Sequence, residues 1–314
     1  MINDINPNEQ KKLFAYEKEF KFFINLYENK KLPNKILIKG KKGIGKSTFA
    51  FHLINFILSR DEKFSYDINN LEINNLSKTY NLIKQSVHPN LFNLYLNDKK
   101  KNIEIDSIRE VIKFNNHTTL YENKKIILID DAEFLNRNSS NALLKIIEEP
   151  NPNTIIILIL DSSKKILETL NSRFVSFNFN LNFNQSIEIA NKIIGKNIYD
   201  FISDDYLNLF LTPGFIIQLY NFSFEEKLDL KNISYKDFIR LIIEKSLYKK
   251  NNFLINNFNK LIEIYLNRLI KISDNKERIY INYNKLINNL NFANKYNLDK
   301  DNIYYEFKSK FLNA

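Results

Sequence analysis

The stretch Ile36-Leu-Ile-Lys-Gly-Lys-Lys-Gly-Ile-Gly-Lys-Ser-Thr48 holds three of the chain's five glycines within six residues. Gly40, Gly45, Lys46 and Ser47 complete the pattern G-x-x-x-x-G-K-[ST], the signature of a phosphate-binding loop. The apolar Ile36, Leu37 and Ile38 predict a short buried strand, and Ser47 to Leu58 predicts a helix, so the glycines join a strand end to a helix start. In that setting consecutive backbone N–H groups turn toward a polyphosphate, and the helix dipole adds to the attraction. Gly40, Gly43, Gly45, Lys46, Ser47 and Thr48 are therefore the candidate nucleotide-binding residues. Lys46 would reach the β and γ phosphates, and the Ser47 hydroxyl would ligate Mg²⁺. A lysine-rich turn that matches by chance is the competing reading. The coincidence of strand, loop and helix in so glycine-poor a chain weighs against it.

Working outward, Lys124-Lys-Ile-Ile-Leu-Ile-Asp-Asp-Ala-Glu133 supplies a second element of the same chemistry. Four consecutive apolar residues before an acid predict a buried parallel strand that delivers a carboxylate at its C-terminal edge, where α/β sheets bind ligands. Asp130 is placed as the second Mg²⁺ ligand, of the Walker-B kind. Thr154 to Leu160 predicts a third buried strand, ending at Asp161-Ser162-Ser163. Two readings of those serines stand level: a sensor facing the γ-phosphate, or caps on a helix from Lys164 to Leu170.

Around this centre the spacing predicts helices over Glu9–Tyr27, Ile103–Phe114, Gln185–Ile194, Ile198–Leu211 and Pro213–Tyr220, and a strand over Leu91–Leu96. Asn138 or Ser139 should cap a helix closed by Glu149-Pro150. Ser59–Ser86 reads as a polar region without a repeat, and Ser223–Ser234 as a charged linker. Tyr235–Leu312 holds several amphipathic segments suited to a helical bundle. His88, with only His52 and His117 for company, reads as a turn residue and not a metal ligand.

Composition bounds the function classes. A chain of 314 residues suggests two or three domains, and 44% apolar content is enough for a sizeable core. The absence of cysteine excludes a disulfide framework and a thiolate zinc site, so no zinc is expected. The polar start and the short apolar runs predict a soluble, cytoplasmic protein. Net charge +10 and pI 9.3 suit contact with nucleic acid. The general abundance of Lys, Asn, Ile, Phe and Tyr explains the same excess equally well.

Three blocks carry a family resemblance: Ile127-Leu-Ile-Asp-Asp-Ala-Glu-Phe-Leu135, Asn141-Ala-Leu-Leu-Lys-Ile-Ile-Glu-Glu-Pro150 and Leu170-Asn-Ser-Arg173. In this order they resemble the signature blocks of bacterial clamp-loader subunits of the AAA+ family. Leu13-Phe14, Leu32-Pro-Asn, His88-Pro89 and the ending Asn297-Leu-Asp-Lys-Asp-Asn-Ile-Tyr look more like the stator branch than the tau/gamma motor branch. The resemblance implies that Arg173, one of only seven arginines, reaches a neighbouring subunit's ATP as a trans-acting arginine finger. A local surface ion pair is the other reading of Arg173. Phe174 replaces the family's cysteine. Asp131 stands where a hydrolysing member has a water-positioning glutamate, and Phe215 stands where it has a sensor arginine after a Pro-Gly turn.

The implied architecture is α/β: an AAA+ P-loop NTPase domain with a parallel five-stranded sheet over residues 1–180, a helical lid over 181–222 and a helical collar over 223–314. The implied role is a hetero-oligomeric DNA-replication subunit that binds ATP and Mg²⁺ but hydrolyses ATP poorly alone, helping ATP-driven loading of a sliding clamp onto primed DNA. Implied partners are the tau/gamma motor subunits, the delta subunit, the clamp and primer-template DNA. A self-sufficient AAA+ ATPase or helicase-like remodeller is the alternative.

Overall fold

The computed structural model of the chain describes residues 6–96, 102–116, 124–148, 151–207, 211–274, 276–296 and 298–312. It divides into two compact units, one of Ile2–Lys192 with Thr212–Gly214 and one of Ile193–Leu211 with Phe215–Ala314. The segment expected as a lid, 181–222, is thus shared between the units.

The first unit runs α1 (Glu17–Glu28), β1 (Lys35–Gly40), α2 (Lys46–Leu58), α3 (Lys78–Lys84), β2 (Leu91–Leu94), α4 (Ile105–Asn116), β3 (Lys125–Ile129), α5 (Arg137–Glu148), β4 (Thr154–Asp161), α6 (Glu168–Asn171), β5 (Val175–Asn178) and most of α7 (Phe183–Ile194). The five strands are all parallel, in the order β2-β3-β4-β1-β5. The three central strands β3, β4 and β1 are rich in apolar residues because they are buried on both faces, whereas the edge strands β2 and β5 are half-buried or exposed and carry polar residues. Ile36 and Ile38 of β1 and Ile126 and Leu128 of β3 enter one core with α1 and α2. The alternate residues Leu37, Ile127 and Ile129 enter the other, with Leu143 and Ile147 of α5. Because all strands point the same way, the ends of β1, β3 and β4 deliver Gly40, Asp130 and Asp161 to one edge.

Several boundaries differ from expectation for identifiable reasons. The first helix starts at Glu17 and not near Glu9, because Tyr16 takes a left-handed backbone conformation (φ 64°) and Leu13 is tied in an extended segment to Leu71. The polar region after α2 contains α3, whose start is held by Ser77 and by the Glu62 carboxylate, which accepts from the Lys78 and Thr79 N–H groups. Asn136, not Asn138 or Ser139, caps α5, its side chain accepting from the Ser139 N–H at 2.9 Å. Glu149 and Pro150, expected to close that helix, lie outside the described residues.

Ser162 and Ser163 are exposed and cap nothing: the expected helix from Lys164 is only α6, entered through Leu167. His88 accepts from the Asn90 N–H at 3.2 Å, within a turn; His117 lies outside the described residues.

The second unit contains α8 (Pro213–Glu225) beyond its first two residues, α9 (Tyr235–Glu244), α10 (Asn252–Ile272), α11 (Lys276–Tyr296) and α12 (Asp301–Phe307). Ile198–Leu211 forms only a short 3-10 turn at Ile198–Asp200 among its described residues. The expected linker begins inside α8, and Leu230 within it is fully buried. Ser234 caps α9 by accepting from the Asp237 N–H, and its hydroxyl donates to the Asp237 carboxylate. Aromatic contacts dominate this core, with Tyr206 against Tyr235 and Phe238. No described helix is long and apolar enough to cross a membrane.

His52 on α2 is fully buried, its ring nitrogens facing the Tyr66 hydroxyl at 2.8 Å and the Gln10 carbonyl at 2.9 Å. Nε2 must donate to the carbonyl, and in the neutral ring Nδ1 accepts from the Tyr66 hydroxyl. Burial lowers its pKa from 6.5 to about 4. The unfolded chain therefore takes up a proton that the native state refuses. Its contribution is complete above about pH 6.5 and is lost as pH falls toward 4, on the order of 3 kcal/mol in all. Urea unfolding in steps from pH 7 to 4.5 should show this loss, and His52→Gln should flatten that limb whatever it costs at pH 7.

Candidate nucleotide site

The loop between β1 and α2 is shaped by its glycines. Gly43 and Gly45 have φ of 83° and 91°, where a side chain would be strained. A Cβ on Gly40 would stand 2.6 Å from the Phe179 carbonyl oxygen. The loop thus closes tightly onto the start of α2, which Gly45 opens without any side-chain cap.

Lys46 is buried and donates to the carbonyl oxygens of Gly40 at 2.8 Å and Lys41 at 2.9 Å. Burial lowers its pKa, while the carboxylates of Asp161, Asp130, Glu133 and Asp131 oppose that shift. Its two acceptors are loop carbonyl oxygens, which phosphate oxygens could replace as partners of the same ammonium. Ser47 Oγ donates to Asp130 Oδ2 at 2.5 Å, and Asp130 Oδ1 accepts from the Asp131 N–H at 2.9 Å. Two residues 83 positions apart are thereby joined across the sheet edge. Thr48 follows in the first turn of α2.

A magnesium nucleotide fits this donor set. The hydroxyl and carboxylate suited to a hard, oxygen-seeking cation stand side by side. Desolvation raises the Asp130 pKa, with its Ser47 hydrogen bond acting against that, so the carboxylate is stored in a state a cation would relieve. The Ile44 and Gly45 N–H groups have no acceptor among the described residues. When bound, the nucleotide would supply the polyphosphate charge and Mg²⁺ its Lewis acidity; the chain's own part is to hold and neutralise them.

Other expected residues fall differently. Asp131 adopts φ 56° with its backbone turned out of β3. Arg173 donates to the Thr169 carbonyl at 2.9 Å and to Glu148 Oε1 at 3.0 Å, with more than a third of its side chain exposed. Phe215 is buried in the second unit, edge-on to Phe253 and beneath the Lys260 ammonium. Residues overlooked in the sequence also converge here. Glu133 Oε2 accepts from the Asp161 N–H at 3.2 Å and ties the 3-10 turn Ala132–Phe134 after β3 to the end of β4. Thr212–Gly214 lies against Gly43, with the Gly214 N–H donating to the Gly43 carbonyl at 2.9 Å. No spacing links those residues to the loop.

A raised Asp130 pKa means that the folded state keeps this proton to higher pH than the unfolded chain does. Ionised Asp130 therefore costs stability above the ordinary carboxylate range, and the cost vanishes below it. Asp130→Asn should be as stable as the parent or more so in melts at pH 7 to 8, yet lose any Mg²⁺-dependent shift with ATP. A loss beyond about 1 kcal/mol at pH 8 would show that the carboxylate is needed for the fold.

A family model described as DNA polymerase III, delta subunit, matches residues 15–182, more than half of the chain. The DNA polymerase III subunit delta' of Pseudomonas aeruginosa is 31% identical over 139 residues, covering 44% of this chain and 40% of that protein. The subunit delta' of Buchnera aphidicola subsp. Schizaphis graminum is 29% identical over 286 residues, 89% of this chain and 84% of that protein. The gamma subunit of the same organism is 23% identical over 92% of this chain and 79% of its own length. The matched region contains the whole candidate site except the Thr212–Gly214 segment, and with it the clamp-loader signature blocks. On this evidence the chain belongs to the delta-prime family of DNA polymerase III clamp-loader subunits.

Proposed function

We propose that the chain is an ATP-binding, weakly hydrolysing stator of a clamp loader, acting in the ATP-driven placement of a sliding clamp on primed DNA. The observation that carries this reading is the pairing of Ser47 with Asp130 beside a buried Lys46, next to an aspartate at 131. The first three are a complete set of phosphate and Mg²⁺ ligands. Asp131 is one methylene shorter than the glutamate of a hydrolysing site, and its left-handed backbone fixes where its short side chain starts. In a reaction whose catalysis rests on positioning, that shortfall leaves binding intact and weakens turnover. Phe215, taken up in a core, offers no cation to phosphate.

The proposed partners are the tau/gamma motor subunits, the delta subunit, the clamp and primer-template DNA, with residues 181–222 as a lid and 223–314 as a collar. An exposed face on α11 supports the collar assignment. Ile281, Phe292 and Tyr296 lie along one side by helical spacing, each more than half exposed, with the Phe292 and Tyr296 rings 4.6 Å apart.

Arg173 is the proposed trans-acting catalytic residue. Its bond to Glu148 is a half-exposed ion pair of the kind worth about 0–1 kcal/mol, so a neighbour's phosphate could displace it at little cost. Loaders reconstituted with Arg173→Ala or Arg173→Lys should assemble normally, lose part of their DNA-stimulated ATPase and load clamps more slowly. Lysine should not rescue, because it lacks the two-pronged fork. A finger that is the main stabiliser at its site is worth about 10³ to 10⁵ in rate. Only one of several sites would lose it, so total turnover falls partially. Wild-type loading by both variants would return Arg173 to its local ion pair. Robust turnover by the isolated chain, abolished by Lys46→Ala, would favour a self-sufficient ATPase.

A further inference from the structure

The tip of the phosphate loop is held from outside by two groups, and one of them is a side chain. The Gly43 carbonyl accepts from the Gly214 N–H at 2.9 Å, and the next carbonyl, that of Ile44, accepts from the Tyr16 hydroxyl at 3.0 Å. In a trans peptide the C=O and the following N–H point in opposite directions, and no cis bond occurs among the described residues. Fixing these two carbonyls therefore fixes the Ile44 and Gly45 N–H groups facing the other way, where neither meets an acceptor among the described residues. A flip of either peptide would present a carbonyl oxygen to an incoming phosphate instead of a donor.

We infer that Tyr16 is a positioning residue for the phosphate loop, its hydroxyl pinning the Ile44 carbonyl so that the Gly45 N–H stays aimed at a bound polyphosphate. This rests on the nucleotide-binding reading of the same loop.

Three further observations support the assignment. The ring is itself immobilised, edge-on to Phe49 at 6.2 Å and to Phe179 at 4.6 Å, so the hydroxyl has a fixed origin. Tyr16 occupies φ 64°, ψ 33°, a conformation that an aromatic residue adopts only against a steric cost. A residue needed only to fill the core does not require that backbone, whereas one that must aim a hydroxyl at the loop tip gains from it. Burial, and secondarily the Glu19 charge, push the phenol above its ordinary value, so it remains a donor throughout the physiological range.

Tyr16→Phe isolates the hydroxyl, since it keeps the ring and its packing. Binding of Mg-ATP and of inorganic tripolyphosphate to the full chain should both weaken about three- to ten-fold, the value of one hydrogen bond, with little change in melting temperature. Tripolyphosphate has no base, so equal losses on both probes place the effect at the phosphate cradle. Amide ¹⁵N relaxation should also show Ile44 and Gly45 rigid in the parent and mobile in the variant. Unchanged affinity for both probes, or a loss confined to ATP, overturns the inference. If the parent chain binds neither probe, the nucleotide reading itself has failed. The relaxation result then decides alone: equal rigidity at Ile44 and Gly45 in parent and variant refutes the role of Tyr16, and new mobility upholds it as a loop strut.

Discussion

The hydrogen bond from Ser47 to Asp130 joins the first turn of the helix after β1 to the end of β3, across the C-terminal edge of the sheet. It forms only if both strands are parallel, both end at the same edge, and the glycine loop turns tightly enough to start a helix there. The two-sided apolar strands secure the first conditions, because both faces of the sheet bury their side chains. Gly43 and Gly45 secure the last by taking backbone angles closed to other residues without strain.

Concentrating charge at that edge has a cost. Asp130 is desolvated, Lys46 is desolvated, and Asp161, Glu133 and Asp131 surround the lysine. Buried ionisable groups of this kind contribute little to folding and are informative mainly as functional sites. Here the acids oppose the lowering that burial imposes on Lys46, and the Ser47 hydrogen bond opposes the raising that burial imposes on Asp130. A polyphosphate with its divalent cation would meet both sets of charges at once. The loop carbonyls that Lys46 now engages are partners that a phosphate can replace without unfolding anything.

What the sequence disclosed followed the reach of each signal. The loop, Asp130 and the parallel sheet were legible because each rests on local spacing and unbroken apolarity. Phe215 was read for what it lacks, and its burial among aromatic residues fits that reading. The short α3 was missed because its start depends on a carboxylate fifteen or more residues away, at Glu62. The early start expected for the first helix, near Glu9, fails for a related reason: Leu13 is apolar at helical spacing yet belongs to an extended segment paired near Leu71. Tyr16 and Gly214 carry no motif at all, since their importance comes from loop carbonyls that the fold brings to them. Arg173 was legible as a residue of interest, and its two readings differ by what a neighbouring subunit contributes, which one chain does not contain.

Equilibrium titration of the purified chain with ATP, with and without Mg²⁺, bears most directly on the claim that this edge is a built nucleotide site. Saturable binding that strengthens with Mg²⁺ and disappears in Lys46→Ala is the result the Ser47, Asp130 and Lys46 arrangement predicts. No binding of any adenine nucleotide, in a chain shown to be folded, would contradict it and leave the loop as a structural remnant of its family.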